Sequence, residues 1–161
     1  MKRALGLLLL ALGCDATPEP PGGKPSGPWV GLKAALEHPG AVDAWTIRGD
    51  LREGYLKYPE SSRRATVDAS DVEKLTSILS DPKTYSDLAP GCIPNPGVKI
   101  RFTRTNLEPI WLVFCFECEE LFVYEGSAGR ETKELDHLAA KALVVVMKRI
   151  FPKEASIQNL R

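Results

Sequence analysis

The sequence lacks the features that most often reveal an enzyme or a nucleic-acid-binding protein. It has only two histidines, His38 and His137, and its 21 basic residues are balanced by 21 acidic ones. The usual zinc-protease, nucleophile-elbow, phosphate-loop and dinucleotide motifs do not occur in it. It also has no block of basic residues, so nucleic acid is not an expected partner. We therefore expect neither catalytic residues nor a cofactor.

Long hydrophobic runs are also missing. The longest one, residues 4–13, is too short for a bilayer, which needs about 20 apolar residues. Lys2 and Arg3 precede it, as in an export signal. The run ends in "ALGC", which resembles the lipobox of bacterial lipoproteins, with Ala11 where the family usually has Leu. The resemblance implies a signal peptide over residues 1–13 and diacylation of Cys14; the alternatives are secretory cleavage after Ala16 and a buried apolar helix.

A lipid anchor at Cys14 would decide where the protein resides. Each buried CH2 group contributes about 0.8 kcal/mol, so two or more acyl chains give stable attachment to a membrane. We expect an exported protein of the cell envelope, tethered on the periplasmic side or the outer face. Asp15 resembles the inner-membrane retention signal of enterobacterial-type sorting. Pro and Gly dominate residues 14–28, so this segment is predicted to be a disordered tether.

Residues 29–161 have the length of a single globular domain, and their patterns predict an α+β fold. Helices are predicted at "VGLKAALEHPG", at "SDVEKLTSILSDP" with a Ser70–Glu73 capping box, and at "KELDHLAAKALVVVMKRIFP". The last has an expected apolar stripe through Leu135, Leu138 and Val146. Strands are predicted at "AWTIRGDL", "RRATVDA", "GVKIRFTR", "PIWLVFCF" and "LFVYE". We expect an antiparallel sheet of about four or five strands with helices packed on one face.

A hairpin between "GVKIRFTR" and "PIWLVFCF" would place three cysteines close together. The expected register pairs Phe102 with Leu112 and puts Cys115 on the face opposite the core, with Trp111 and Arg101. A strand unbroken from residue 110 to 125 would be unusually long, so a turn is predicted at residues 116–119. Cys115 and Cys118 would then lie near the segment that carries Cys92, at one corner of the sheet.

The chemistry of these cysteines has several possible forms. Outside the cytoplasm neighbouring thiols tend to oxidise, so one disulfide and one free thiol are expected. A Cys92–Cys118 bond would stabilise the fold by about 3 to 4 kcal/mol, whereas Cys115–Cys118 would be a short, reducible bridge. The other options are a metal site of Cys92, Cys115 and Cys118 with a fourth ligand, and thiol exchange at "CFEC". The acidic residues around "CFEC" disfavour thiol exchange because they raise thiolate pKa values.

The stretch "CIPNPGVKIRF…LVFCFEC" resembles small bacterial domains in which a cysteine before one strand accompanies a C-x-x-C in the next. The resemblance implies clustered cysteines and no particular activity. His137 is predicted to be an exposed helix residue, His38 a helix-end residue, and "GYLKYP", with Tyr55 and Tyr58, a packed loop or a recognition surface.

Two function classes follow from these patterns. We expect a non-catalytic, membrane-tethered binding or accessory module, with an envelope protein as a possible partner. The alternative is a metal-binding or thiol-redox protein that uses Cys92, Cys115 and Cys118. A hydrolase is the least favoured class.

Overall fold

The computed structural model describes residues 27–48, 57, 59–87, 92–93, 95, 97–126 and 128–161. Within these residues, seven strands form one sheet in which all neighbouring strands are antiparallel, and four α-helices accompany it. The predicted α+β class with an antiparallel sheet is therefore confirmed. The expected strand number was too low, because β3 and β7, defined below, were not predicted.

The elements alternate irregularly along the chain, and the sheet order differs from the chain order. The helices are α1 (Pro28–Glu37), α2 (Ala69–Ser80), α3 (His137–Ile150) and α4 (Ala155–Gln158). The strands are β1 (Val42–Thr46), β2 (Ala65–Thr66), β3 (Tyr85–Ser86), β4 (Val98–Phe102), β5 (Ile110–Cys115), β6 (Glu120–Glu125) and β7 (Ala128–Leu135). Across the sheet they run β2-β1-β4-β5-β6-β7-β3. The meander from β4 to β7 is the centre of the sheet, and the two shortest strands form its edges.

One face of the sheet carries the main hydrophobic core. Leu32 of α1, Leu75 of α2 and Leu143 of α3 are all 0% exposed and pack in the same cluster as Ile100 and Phe114 of the central strands. Apart from Val144 of α3, the buried hydrophobic residues that the described helices contribute belong to this cluster. The packing therefore agrees with the expected arrangement of helices on one side of the sheet.

The opposite face has a second, smaller apolar cluster. Its buried members come from strands and turns: Ile47, Val113, Cys115, Cys118, Phe122 and Tyr124. Trp111 packs against them. The sequence placed Cys115 and Trp111 on this face, and that assignment is correct.

The hairpin of β4 and β5 has a register two residues from the expected one. Phe102 pairs with Ile110 and Ile100 with Leu112, rather than Phe102 with Leu112. A two-residue shift leaves every side chain on its predicted face, because side chains alternate with a period of two along a strand. The assignment to faces is therefore right although the pairing is wrong.

The last predicted helix begins too early in the sequence-based assignment. Lys133 and Leu135 belong to β7, which pairs with both β6 and β3. Asp136 caps α3, since its carboxylate accepts hydrogen bonds from the N–H groups of Leu138 and Ala139. The predicted stripe is wrong at Leu138, which is 74% exposed, while Leu143 and Met147 are buried. The first residues of the predicted helix therefore belong to strand β7. The helix starts later, and its buried face includes Leu143 and Met147 instead of Leu138.

The predicted Ser70–Glu73 capping box is also wrong. Asp68 is the N-cap of α2, and its carboxylate accepts the backbone N–H of Asp71 at 2.9 Å. Ser70 instead donates its hydroxyl to the same carboxylate at 2.9 Å. An aspartate two residues earlier thus performs the capping role, because its carboxylate reaches the free N–H groups of the first turn.

Candidate functional site

The predicted turn between β5 and β6 forms the corner at which the cysteines meet. β5 ends at Cys115, residues 116–119 form the turn, and β6 begins at Glu120, which pairs with Cys115. Glu119 has a φ of 54°, a left-handed conformation that closes the turn. The prediction of a turn here is confirmed.

A disulfide joins Cys92 to Cys118 at this corner, with a Cα–Cα distance of 5.8 Å and a sequence separation of 26. It links the segment that precedes β4 to the turn between β5 and β6. Of the two pairings left open by the sequence, the structure has the long-range one. Cys115 is the free cysteine among the described residues.

The thiol of Cys115 is buried and lies among apolar side chains. Its side chain is 0% exposed and packs with Val113 and Phe122. The backbone N–H of Asn95 donates a hydrogen bond of 3.2 Å to its sulfur. Burial raises the pKa of Cys115 above its usual 9.0; Glu120 and Glu117 raise it further, while the N–H groups of Asn95 and Cys118 oppose the change. The thiol is therefore protonated and shielded at neutral pH, which does not suit a nucleophile.

The two histidines lie at helix ends, His137 at the start of α3 and His38 directly after α1. His137 is exposed, as predicted, and its Nδ1 contacts the carboxylate of Glu119. His38 follows α1 as its C-cap, also as predicted. Within the described ranges, no group of three or more His, Cys, Asp or Glu side chains is arranged to hold a metal ion.

The acidic stretch "ECEE" is less uniform than a solvated turn. Glu117 and Glu119 belong to the turn, but Glu120 lies in β6, directly opposite Glu134 of β7. Burial raises the pKa of Glu120, and the neighbouring carboxylate of Glu134 raises it further. Glu120 is therefore a residue of the sheet and not of the turn.

Two tryptophans and two cations form a ladder on the second face, which sequence reasoning did not identify. The Nζ atom of Lys99 lies 5.5 Å from the ring centroid of Trp45 and 5.3 Å from that of Trp111. Arg101 lies against the same two rings and pairs with Asp43 at 2.5 Å. The available signal was the alternation of Lys99 and Arg101 on one strand face. The strand order, which the sequence did not give, places the tryptophans on both sides of them.

A cavity of about 350 Å³ opens beside the disulfide corner. Ile47 and Ile157, both buried, contribute apolar surface to it, as does Phe116. Arg48 and Glu117 also line it. Its walls thus come from the end of β1, the segment before β4, the β5–β6 turn and the C-terminal residues.

Several predicted residues lie outside the part that the structure describes. These are Cys14, the signal peptide, all of the tether before Gly27, and Tyr55 and Tyr58 of "GYLKYP". Over the described ranges, none of the helices combines the length and the apolar character needed to cross a bilayer.

Comparison with known proteins gives no relative for this chain. No protein-family model, no curated protein and no solved structure matches it. Any assignment of function therefore depends on the residues and the geometry described above.

Proposed function

We propose that this chain is a non-catalytic, membrane-tethered module of the cell envelope, which binds or assists an envelope partner from a lipid anchor at Cys14. The anchor holds the folded domain at the periplasmic side or the outer face of a membrane. The Pro/Gly-rich tether sets the distance between them, up to about 40 Å at about 3.1 Å per residue when fully extended.

The observation that supports this proposal most strongly is the disulfide between Cys92 and Cys118. Structural disulfides persist in oxidising compartments such as the periplasm and are rare in the cytosol. The remaining thiol, Cys115, is buried and protonated, so the cysteine corner provides packing and cross-linking rather than a reactive thiolate.

Expression of the full chain in a bacterium tests the anchor. We expect the protein in the membrane fraction, with an N-terminal peptide whose mass corresponds to a diacylated Cys14. Cys14→Ser should abolish both properties, whereas Cys115→Ser, the matched control, should retain them. An unacylated, uncleaved chain in the soluble cell interior would exclude the proposed location.

A thiol and metal count on purified protein separates the module from a metal-binding or thiol-redox protein. In a Cys14→Ser chain prepared without reductant, one thiol should react after unfolding, and three after unfolding and reduction. Stoichiometric zinc in the native protein, or three reactive thiols without reductant, would instead favour the alternative.

A further inference from the structure

We propose that the cavity beside the disulfide corner binds a small zwitterion with an apolar group, of the size range from an amino acid to a dipeptide. The inference rests on the proposed role as a binding module and specifies what that module binds. It does not depend on the lipid anchor.

Two opposite charges without partners line this one cavity. Arg48 and Glu117 both belong to its lining, and both are exposed residues. In the described part of the chain, neither side chain forms an ion pair or a side-chain hydrogen bond, with the other or with a third residue. By contrast, Arg101 and Arg104, which are less exposed than Arg48, both pair with a carboxylate. A ligand with both a carboxylate and an ammonium group would satisfy Arg48 and Glu117 together.

The remainder of the lining suits a small molecule with an apolar part. Ile47 and Ile157 are 4% and 2% exposed, so they supply well-packed apolar surface to the lining. Asn95 and Ser156 are polar residues of the same lining. A volume of about 350 Å³ is at the lower end of the range of roughly 300–1,000 Å³ for ligand sites, which fits an amino acid or a dipeptide.

Covalent and backbone links hold the walls in place. The Cys92–Cys118 disulfide ties the segment that carries Asn95 to the turn that carries Glu117. Gly97 donates its N–H to the carbonyl of Phe114 at 3.0 Å, and its own carbonyl accepts the N–H of Ile47 at 3.0 Å. A site held in this way loses little conformational freedom when a ligand binds, which favours affinity for small molecules.

The experiment measures binding of the dipeptide Leu-Ala to the purified, oxidised full chain by calorimetry. We expect saturable binding with a Kd on the order of 1 mM or tighter. N-acetyl-Leu-Ala, which lacks the ammonium group, and Leu-Ala amide, which lacks the carboxylate, should each bind about tenfold more weakly. In ¹H–¹⁵N spectra, the amide signals of Asn95 and Gly97 should shift along the same saturation curve.

Variants of the two charged residues test the assigned orientation. Arg48→Gln should weaken Leu-Ala binding about tenfold and remove the preference for Leu-Ala over its amide. Glu117→Gln should remove the preference over the acetylated dipeptide. The matched controls are Lys141→Gln and Glu73→Gln, exposed helix residues outside the cavity, and they should bind like the original chain.

Several results would overturn the inference. They are equal affinity for the three dipeptides, no saturable binding at tens of millimolar, or variants at Arg48 and Glu117 that bind like the controls. If a variant fails to fold, the three dipeptides on the unaltered chain still decide the question. Acylation of Cys14 is measured separately, so failure of the cavity to bind is distinguishable from failure of the proposed anchor.

Discussion

The backbone N–H of Asn95 donates a hydrogen bond to the fully buried sulfur of Cys115, and a disulfide joins the same two parts of the chain. The segment before β4 is thus attached twice to the corner formed by β5 and β6. One attachment is covalent and depends on oxidation, while the other is a weak hydrogen bond to a thiol. The two can be removed separately by mutation.

Loss of the disulfide should destabilise the domain substantially. The double variant Cys92→Ala/Cys118→Ala is expected to unfold with a free energy about 3 kcal/mol lower, because the unfolded chain regains the entropy of the open loop. Denaturant unfolding without reductant measures this difference. Cys115→Ala is the control, since it removes a cysteine and retains the bond. Equal stability of the double variant and the original chain would contradict a structural role for the disulfide.

Because the thiol of Cys115 is buried, we expect the stability of the domain to fall at alkaline pH. Burial raises the pKa of Cys115 in the folded state above the unfolded value of 9.0, so the folded chain retains its proton longer. This contribution to stability is present below pH 9 and is lost as the pH rises through the folded pKa. Unfolding free energies measured from pH 7 to 10 should therefore decline less steeply for Cys115→Ala. Burial also raises the pKa of Tyr85, so part of the decline should persist in that variant.

Removal of the observed cap of α2 should be more harmful than removal of the predicted one. Asp68→Ala loses the hydrogen bond to Asp71 and should lower the melting temperature, whereas Ser70→Ala should change it little. The hydrogen bond from the Asp71 N–H lowers the pKa of Asp68 from 3.8. Its stabilising effect is therefore present above pH 3.8 and lost as the pH falls through the folded pKa. Melting curves at pH 7 and pH 3 test both statements, and equal effects of the two variants would contradict them.

The stability of the domain should depend strongly on the buried carboxylate of the Asp43–Arg101 ion pair. Asp43 is 5% exposed and pairs with Arg101, so Asp43→Asn leaves the cation without its main partner. We expect a loss of about 2 kcal/mol in unfolding free energy. The matched variant Glu60→Gln removes a more exposed partner, that of Lys99, and should cost less than about 1 kcal/mol. A larger loss for Glu60→Gln than for Asp43→Asn would contradict the greater importance of the Asp43–Arg101 pair.

The hairpin of β4 and β5 shows which features of a strand pair can be predicted from the sequence pattern and which cannot. Alternation along Val98, Ile100 and Phe102 identified the core face correctly, because side-chain direction is a local property of a strand. The exact partner of Phe102 depended on the length of the connecting turn. Alternation repeats every two residues, so it cannot distinguish registers that differ by two.

At the boundary between β7 and α3, the local sequence pattern gave the wrong secondary structure. "KELDHLAAK" has good helix-forming residues throughout, and local propensity alone favours one helix. In the structure, pairing with β6 and β3 makes Lys133 and Leu135 part of the sheet. Tertiary hydrogen bonds outweigh helix propensity there, since the preference amounts to less than about 1 kcal/mol per residue.

The sequence by itself determined the α+β class, the two faces of the central hairpin and the turn after Cys115, because each depends on local periodicity and strand length. Only the tertiary structure decided that Cys118 bonds to Cys92, that Lys99 lies between Trp45 and Trp111, and that Arg48 and Glu117 share one cavity. These residues are distant along the chain, and strand order and register bring them together. That order follows from packing of the whole sheet against its helices, which no single segment encodes.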